Sequence, residues 1–288
     1  MKKLLLIVTA IFFLSWNAAD AQIFAKFYMG YSLPLSGMNY LEPRSSVYSS
    51  LIYPMDNYER VESDAKDEQQ FVSLGKGMNI KGAVGMKLTD NISAEVDFGF
   101  LLGSDFAALQ NTKYTVLSVL VNKNEMYTYK ADMLQVIPML MLDADAEIAQ
   151  VFVKFGPVFN MGVVSGVYFS VINGQTTEQD VKFKGGMSLG MSSALGAQMP
   201  LNDKLKLFAE VQFMSLSYSP GKAKIIKYEV NGVDHLNDLA TEDKEFVFKK
   251  KISEDVSADH PDNQPTELLK IRFPLSNIGL HAGVQLSF

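Results

Sequence analysis

The chain has 288 residues, a formal net charge of −6 and no cysteine. The acidic balance argues against a nucleic-acid partner, which calls for a basic surface. The missing thiols exclude disulfides, thiol catalysis and lipid attachment at a cysteine.

The chain opens with Lys2 and Lys3, an apolar run over 4–16, and Ala19-Asp20-Ala21. A positive start, a short apolar stretch and small residues at a cleavage point predict a secretory signal peptide over 1–21. The run falls short of the ~18 residues that a membrane-spanning helix needs. Its removal takes away Lys2, Lys3 and Asp20 and moves the net charge from −6 to −7. It also removes Trp16, the sole tryptophan. One domain is expected over 22–288.

Downstream, apolar residues recur with a period of two, the signature of strands with unlike faces. In 92–102, Ile92, Ala94, Val96, Phe98, Phe100 and Leu102 alternate with Ser93, Glu95, Asp97 and Gly99. The same pattern runs through 23–33, 78–88, 151–161, 187–199, 205–213 and 278–288. The segment 133–143 is weaker, because Ile137, Met139 and Met141 add apolar residues to the second face. That makes eight candidate strands. Short connections at 89–91, 143–149 and 200–204 alternate with long ones at about 34–75, 104–130, 163–184 and 219–272. An antiparallel meander built this way carries every long loop at one end and every tight turn at the other.

Parts of the long connections also resemble strand. Residues 116–121 and 126–129 flank Asn122-Lys-Asn-Glu125, read as a turn, and 167–172 leads into Asn173-Gly174, a favoured hairpin turn. The second and third long hairpins are therefore expected to continue past the others as a projecting β edge. Residues 42–70 and 234–267 are mixed and polar, and much of them is expected to be irregular.

The polar face decides the orientation. It carries Lys26, Lys81, Lys87, Glu95, Asp97, Lys154, Lys206 and Glu210 among many Gly and Ser, while the opposite face is bulky and almost uncharged. A soluble barrel core would hold the bulky set and leave the small residues to water. Turned inside out, bulky side chains meet lipid and small residues leave room for charged ones in a lumen. With Leu88 set opposite Ile92, Gly85 faces Glu95 and Ala83 faces Asp97, which places Lys87 and Lys81 on the diagonals. Lys81, Lys87, Glu95 and Asp97 are thus expected to form a lumen ion-pair cluster, with Lys26, Lys154, Lys206 and Glu210 as further lumen charges.

The chain closes on GLHAGVQLSF. Leu280, Ala282, Val284, Leu286 and the terminal Phe288 form one face of the last strand. This ending resembles the C-terminal sorting signal of bacterial outer-membrane proteins. With the signal peptide and the eight segments, the chain resembles the small outer-membrane β-barrel superfamily, the OmpA/OmpX-like "porin family" proteins. The resemblance covers essentially all of 22–288 and rests on pattern. It implies an all-β, eight-stranded antiparallel up-and-down transmembrane β-barrel with four long extracellular loops, placed in the bacterial outer membrane. The partners it implies are outer-membrane lipid and lipopolysaccharide, the barrel-assembly machinery during biogenesis, and an unnamed extracellular ligand or envelope partner.

No motif points to a catalytic residue, a cofactor or a metal. Gly186-Met-Ser-Leu-Gly190 matches the nucleophile-elbow spacing, but it lies in a period-two run rather than at a strand-to-helix turn. His281 is expected in the lumen, and His235 and His260 in the fourth long loop. Glu254, Asp255, Asp259 and Asp262 lack the spacing of a calcium loop. Tyr28, Tyr31, Tyr127, Tyr129, Phe213, Tyr218 and Phe273 fall near strand ends, where interfacial aromatics are expected. The function expected is non-enzymatic surface binding or envelope structure. A narrow channel for small solutes and a lipid-modifying enzyme are the alternatives.

Overall fold

The computed structural model describes residues 22–35, 58–61, 64–67, 73–116, 119–146, 149–252 and 263–288. The predicted signal peptide, His260 and the acidic residues Glu254, Asp255, Asp259 and Asp262 lie outside them.

Strands dominate the described residues. They are β1 (Ile23–Pro34), β2 (Tyr58–Val61), β3 (Asp64–Asp67), β4 (Gly77–Thr89), β5 (Ile92–Gly103) and β6 (Phe106–Val116). There follow β7 (Val119–Asp145), β8 (Gln150–Ile172), β9 (Gln175–Lys184), β10 (Ser188–Pro200), β11 (Leu205–Ser215) and β12 (Ser217–Tyr218). The last are β13 (Lys222–Val230), β14 (Val233–Asp234), β15 (Glu245–Lys249), β16 (Thr266–Leu269), β17 (Phe273–Pro274) and β18 (Asn277–Ser287).

The long antiparallel pairings return on themselves. β1 pairs with β4, β4 with β5, β5 with β7 and β7 with β8. β8 pairs with β10, β10 with β11, β11 with β18, and β18 with β1. Each alternating segment of the sequence falls in one strand of this ring. The closing pair runs from Phe24↔Ser287 to Pro34↔Asn277, and the Phe288 amide donates to the Ile23 carbonyl at 2.9 Å. Pairing on both sides leaves no ring strand with an open backbone edge. The β7–β8 ladder is interrupted between Val136↔Phe159 and Leu140↔Phe155, where Pro138 and Pro157 offer no amide hydrogen.

The expected register at 89–91 is met in part. Gly85 lies opposite Glu95 and Ala83 opposite Asp97, but Ile92 faces Thr89 rather than Leu88. A bulge between Lys87 and Thr89 absorbs the difference.

At the end away from the short turns, strands project beyond the ring. β6 pairs with the first half of β7, and β8 turns back into β9 through Asn173 and Gly174, with φ of 50° and 88°. Two successive positive φ values are the backbone of a primed hairpin turn. The turn expected at Asn122–Glu125 is not there. Those residues lie within β7, with Asn122 opposite Lys113 and Glu125 opposite Gln110. The fourth long connection is more regular than its polar composition suggests. β13 joins β9, β15 joins β13, and β16 runs parallel to β15. Period two explains it, since buried Ala223 and Ile225 alternate with exposed Lys222 and Lys224.

Candidate functional site

The interior of the ring holds the sequence's charges. Lys26, Lys81, Glu95, Asp97, Lys154 and Glu210 are all buried, Asp97 and Lys154 at 0% exposure. The opposite faces of the same strands are open: Phe27 is 55% exposed, Phe98 54%, Leu195 60% and Leu280 65%. Alternation of strand side chains produces both facts at once.

Lys154, on β8, is the hub of the interior. Its ammonium lies 2.9 Å from Glu95 Oε1, 2.9 Å from Glu210 Oε2 and 3.5 Å from Asp97 Oδ2. Lys26 Nζ lies 2.6 Å from the other oxygen of Glu95. The Tyr28 hydroxyl donates to Asp97 Oδ2 at 2.5 Å. Lys81 donates to Gln212, whose amide donates to Ser192 at 3.0 Å. The rings of Phe24, Phe152 and Phe208 surround the Lys26 ammonium at 5.1–5.5 Å. Tyr28 lies beneath Lys154 at 5.2 Å and Lys81 at 5.8 Å. The three lysines Lys26, Lys81 and Lys154 therefore balance the three carboxylates Glu95, Asp97 and Glu210. Buried charges persist when opposite charges are paired in this way.

These six belong to the charges expected on the polar face, but their partners differ from expectation. Glu95 and Asp97 are in the network, whereas Lys81 pairs with an amide rather than Asp97. Lys87 is half-buried at the short-turn end, on a polar pocket with Asp143, Gln198, Lys206 and Gln285. Diagonal neighbours along one hairpin do not capture these contacts. In a closed ring the long side chains cross the interior, and Glu95 meets Lys154 from a strand two places round. Lys206 donates to Gln150 at 3.1 Å. His281 is buried, 3.7 Å from Glu210.

Glycine makes the room. A Cβ on Gly196 would run into the Phe152 ring and the Ala209 carbonyl, and one on Gly283 into Tyr28.

Above the charges the interior is closed by apolar groups. Leu74, Leu216, Tyr218, Phe273 and Leu275 fold inward and pack with Leu101, Met133, Ile137, Met139, Val158 and Met214. The Tyr218 hydroxyl donates to the carbonyls of Gly162 and Gly185 at 2.8 and 3.0 Å. β12 and β17 form a two-stranded sheet here, and the Leu74 amide donates to Pro274 O at 2.9 Å. This closure explains why Met133, Ile137 and Met139 are apolar on the inner face, while Met141 packs lower down with Phe24, Tyr28, Phe152 and Phe208. It also corrects the aromatic reading: only Tyr31 and Phe213 stand on the open face, at 45% and 44%. Tyr28 faces inward with the even residues of β1, a parity that the sequence already contains.

The projecting sheet buries Val181, Phe183, Ala223, Ile225, Phe246 and Phe248 on one side. Lys182, Lys184, Lys222 and Lys224 occupy the other and are exposed. Lys224 lies 2.6 Å from Glu245 and its hydrogen bond holds that carboxyl below its ordinary value. Deeper in the projection, Glu125 accepts from Tyr127 at 3.0 Å and Tyr168 at 2.7 Å.

The remaining candidates are easily placed. Ser188, in the elbow-like motif, is buried at the start of β10. His235 is exposed and bonds Asp238 at 2.7 Å. Among the described residues neither His235 nor His281 hydrogen-bonds a serine. Of the closing residues, Leu280, Ala282, Leu286 and Phe288 are exposed and Val284 is half-buried.

No family model matches the chain, and neither does any curated protein. Solved structures give loose overall similarity. A major outer membrane protein from Thermus thermophilus is 13% identical over 92% of this chain and 99% of its own, with a TM-score of 0.38. The outer membrane protease OmpT from Escherichia coli is 10% identical over 93% of this chain and 96% of its own, with a TM-score of 0.21.

Proposed function

We propose that the ring is an eight-stranded antiparallel up-and-down β-barrel of the bacterial outer membrane, non-enzymatic and non-conducting. It acts through the projecting sheet, in surface binding or envelope structure. One observation carries the reading: the burial is inside out. A balanced set of charges is sealed in the interior, and a belt of Phe, Leu, Met and Val faces outward on every ring strand. In water such a belt far exceeds the few hundred Å² that soluble monomers expose. In lipid it is the required surface, and a lysine or arginine on it at mid-depth would cost about 2–4 kcal/mol. The ring satisfies its own backbone groups, as a membrane-spanning sheet must.

The interior supports the non-conducting part. The ion-pair network fills the middle and the apolar closure fills the far end, leaving side chains where a pore would hold water. Membrane fractionation with gel mobility before and after boiling tests the class. A heat-modifiable band in the outer-membrane fraction is expected, and an unshifted soluble band refutes it. Single-channel recording on the purified protein tests the closure. Silence is expected; steady conductance would replace it with the narrow-channel reading.

A further inference from the structure

The outer face of the projecting sheet carries its lysines in an order that solvation alone does not ask for. On β9 and β13, Lys184 lies directly opposite Lys222, and Lys182 directly opposite Lys224. Like charges facing each other across an antiparallel pair are destabilising. Farther from the ring the same two strands are compensated: Lys227 faces Asp180 and lies 2.8 Å from Glu178 and 3.3 Å from Glu229. Nearer the ring only Lys224 has a carboxylate, Glu245. Among the described residues no carboxylate lies in ion-pair contact with Lys182, Lys184 or Lys222. The flanking cations on this face already have partners, Lys130 with Asp132 at 3.8 Å and Lys249 with Glu267.

The two lysine rows stand at one particular height. Lys184 is paired with Val163 of β8, two residues beyond Met161, the last strongly exposed apolar residue of that strand's ring portion at 43%. Two strand residues span about 7 Å. Lys184 is also followed within three residues by Met187, 62% exposed. In the barrel reading, on which this inference rests, that height is the headgroup layer just outside the acyl belt. Facing side chains start about 5 Å apart, so two ammonium groups can close on one phosphate.

We propose that Lys182, Lys184 and Lys222, with Lys224 at their edge, form a binding site for net-anionic, phosphate-bearing headgroups of lipids in the outer leaflet. At this height Lys130, Lys182, Lys184, Lys222, Lys224 and Lys249 outnumber the carboxylates Asp132, Glu245 and Glu267 among the described residues; the ligand offsets that excess, and its acyl chains lie along the belt below. The site ties the projecting sheet to the membrane surface.

Electron paramagnetic resonance of the full protein in phosphatidylcholine vesicles tests this. Spin-labelled phosphatidic acid and spin-labelled phosphatidylcholine report the ratio of their association constants at the protein surface. A preference for phosphatidic acid of about fivefold per engaged lysine is expected. The triple variant Lys182→Gln, Lys184→Gln, Lys222→Gln should bring the ratio close to one, and the matching Lys→Arg triple should keep it. Heat-modifiable mobility of each variant shows that the fold is retained. An unchanged preference in the Gln triple overturns the proposal, and so does a preference abolished by soluble inorganic phosphate, which would mark a free-ion site. A wild-type protein that restricts neither labelled lipid overturns the barrel reading and the site with it, whereas restriction of both lipids without preference overturns the site alone.

Discussion

Lys154→Met is the sharpest perturbation of the interior. The side chain is fully buried and its ammonium touches three carboxylates, at 2.9, 2.9 and 3.5 Å. Methionine keeps most of the volume and removes the charge. Lys26 remains on Glu95 and Lys81 nearby, so three carboxylates would share two cations. Breaking a buried pair by removing one partner costs about 3–5 kcal/mol. The exposed pair of Lys224 and Glu245 offers the contrast, since surface pairs contribute about 0–1 kcal/mol. Adding Glu210→Gln to Lys154→Met restores neutrality, and the two changes should couple by at least about 1 kcal/mol. Urea unfolding of the folded protein in neutral vesicles, followed by the boiling shift, measures the single and double variants. A loss under about 1 kcal/mol for Lys154→Met, equal to that of Lys224→Met, would refute the claim that these charges are sealed from water.

Other expectations use the same assay. Tyr28→Phe keeps the ring under Lys154 and removes the hydrogen bond to Asp97, at a cost of about 1–3 kcal/mol; no change would mean that water reaches that carboxylate. Gly196→Val drives a side chain into Phe152 and a backbone carbonyl, and should cost more than about 3 kcal/mol or abolish the folded band, while Ala197→Val on the open face is tolerated. Phe98→Arg, 54% exposed on the belt, should cost about 2–4 kcal/mol in lipid, and Phe98→Leu almost nothing.

Alternation is a local signal, and it is legible in the sequence. The face of Phe98 or Leu280 follows from its neighbours within a few residues. The opposition of Gly85 to Glu95 follows from one short turn, and even there a bulge at Lys87–Thr89 shifts the last pair. Contacts across the interior are not legible. Lys154 reaches Glu95, 59 positions away, only because the ring closes. The apolar closure is hidden for the same reason: Leu74 and Ile271 belong to polar-looking connections, and nothing nearby in sequence says that they fold inward. The β13–β15 extension is masked by its outer lysines, although Ala223 and Ile225 between them carry the period of a strand.

Orientation can be read one residue at a time. Trp16 is the sole tryptophan and lies in the predicted signal peptide, so single tryptophans can be introduced into a dark background. In vesicles of brominated phosphatidylcholine, tryptophan at Phe98 or Leu280 should be strongly quenched, because those positions face acyl chains. Tryptophan at Phe152 or Phe208, both buried beside Lys26, should be spared. Quenching of the second pair with sparing of the first would turn the strands around and remove the basis for a membrane barrel.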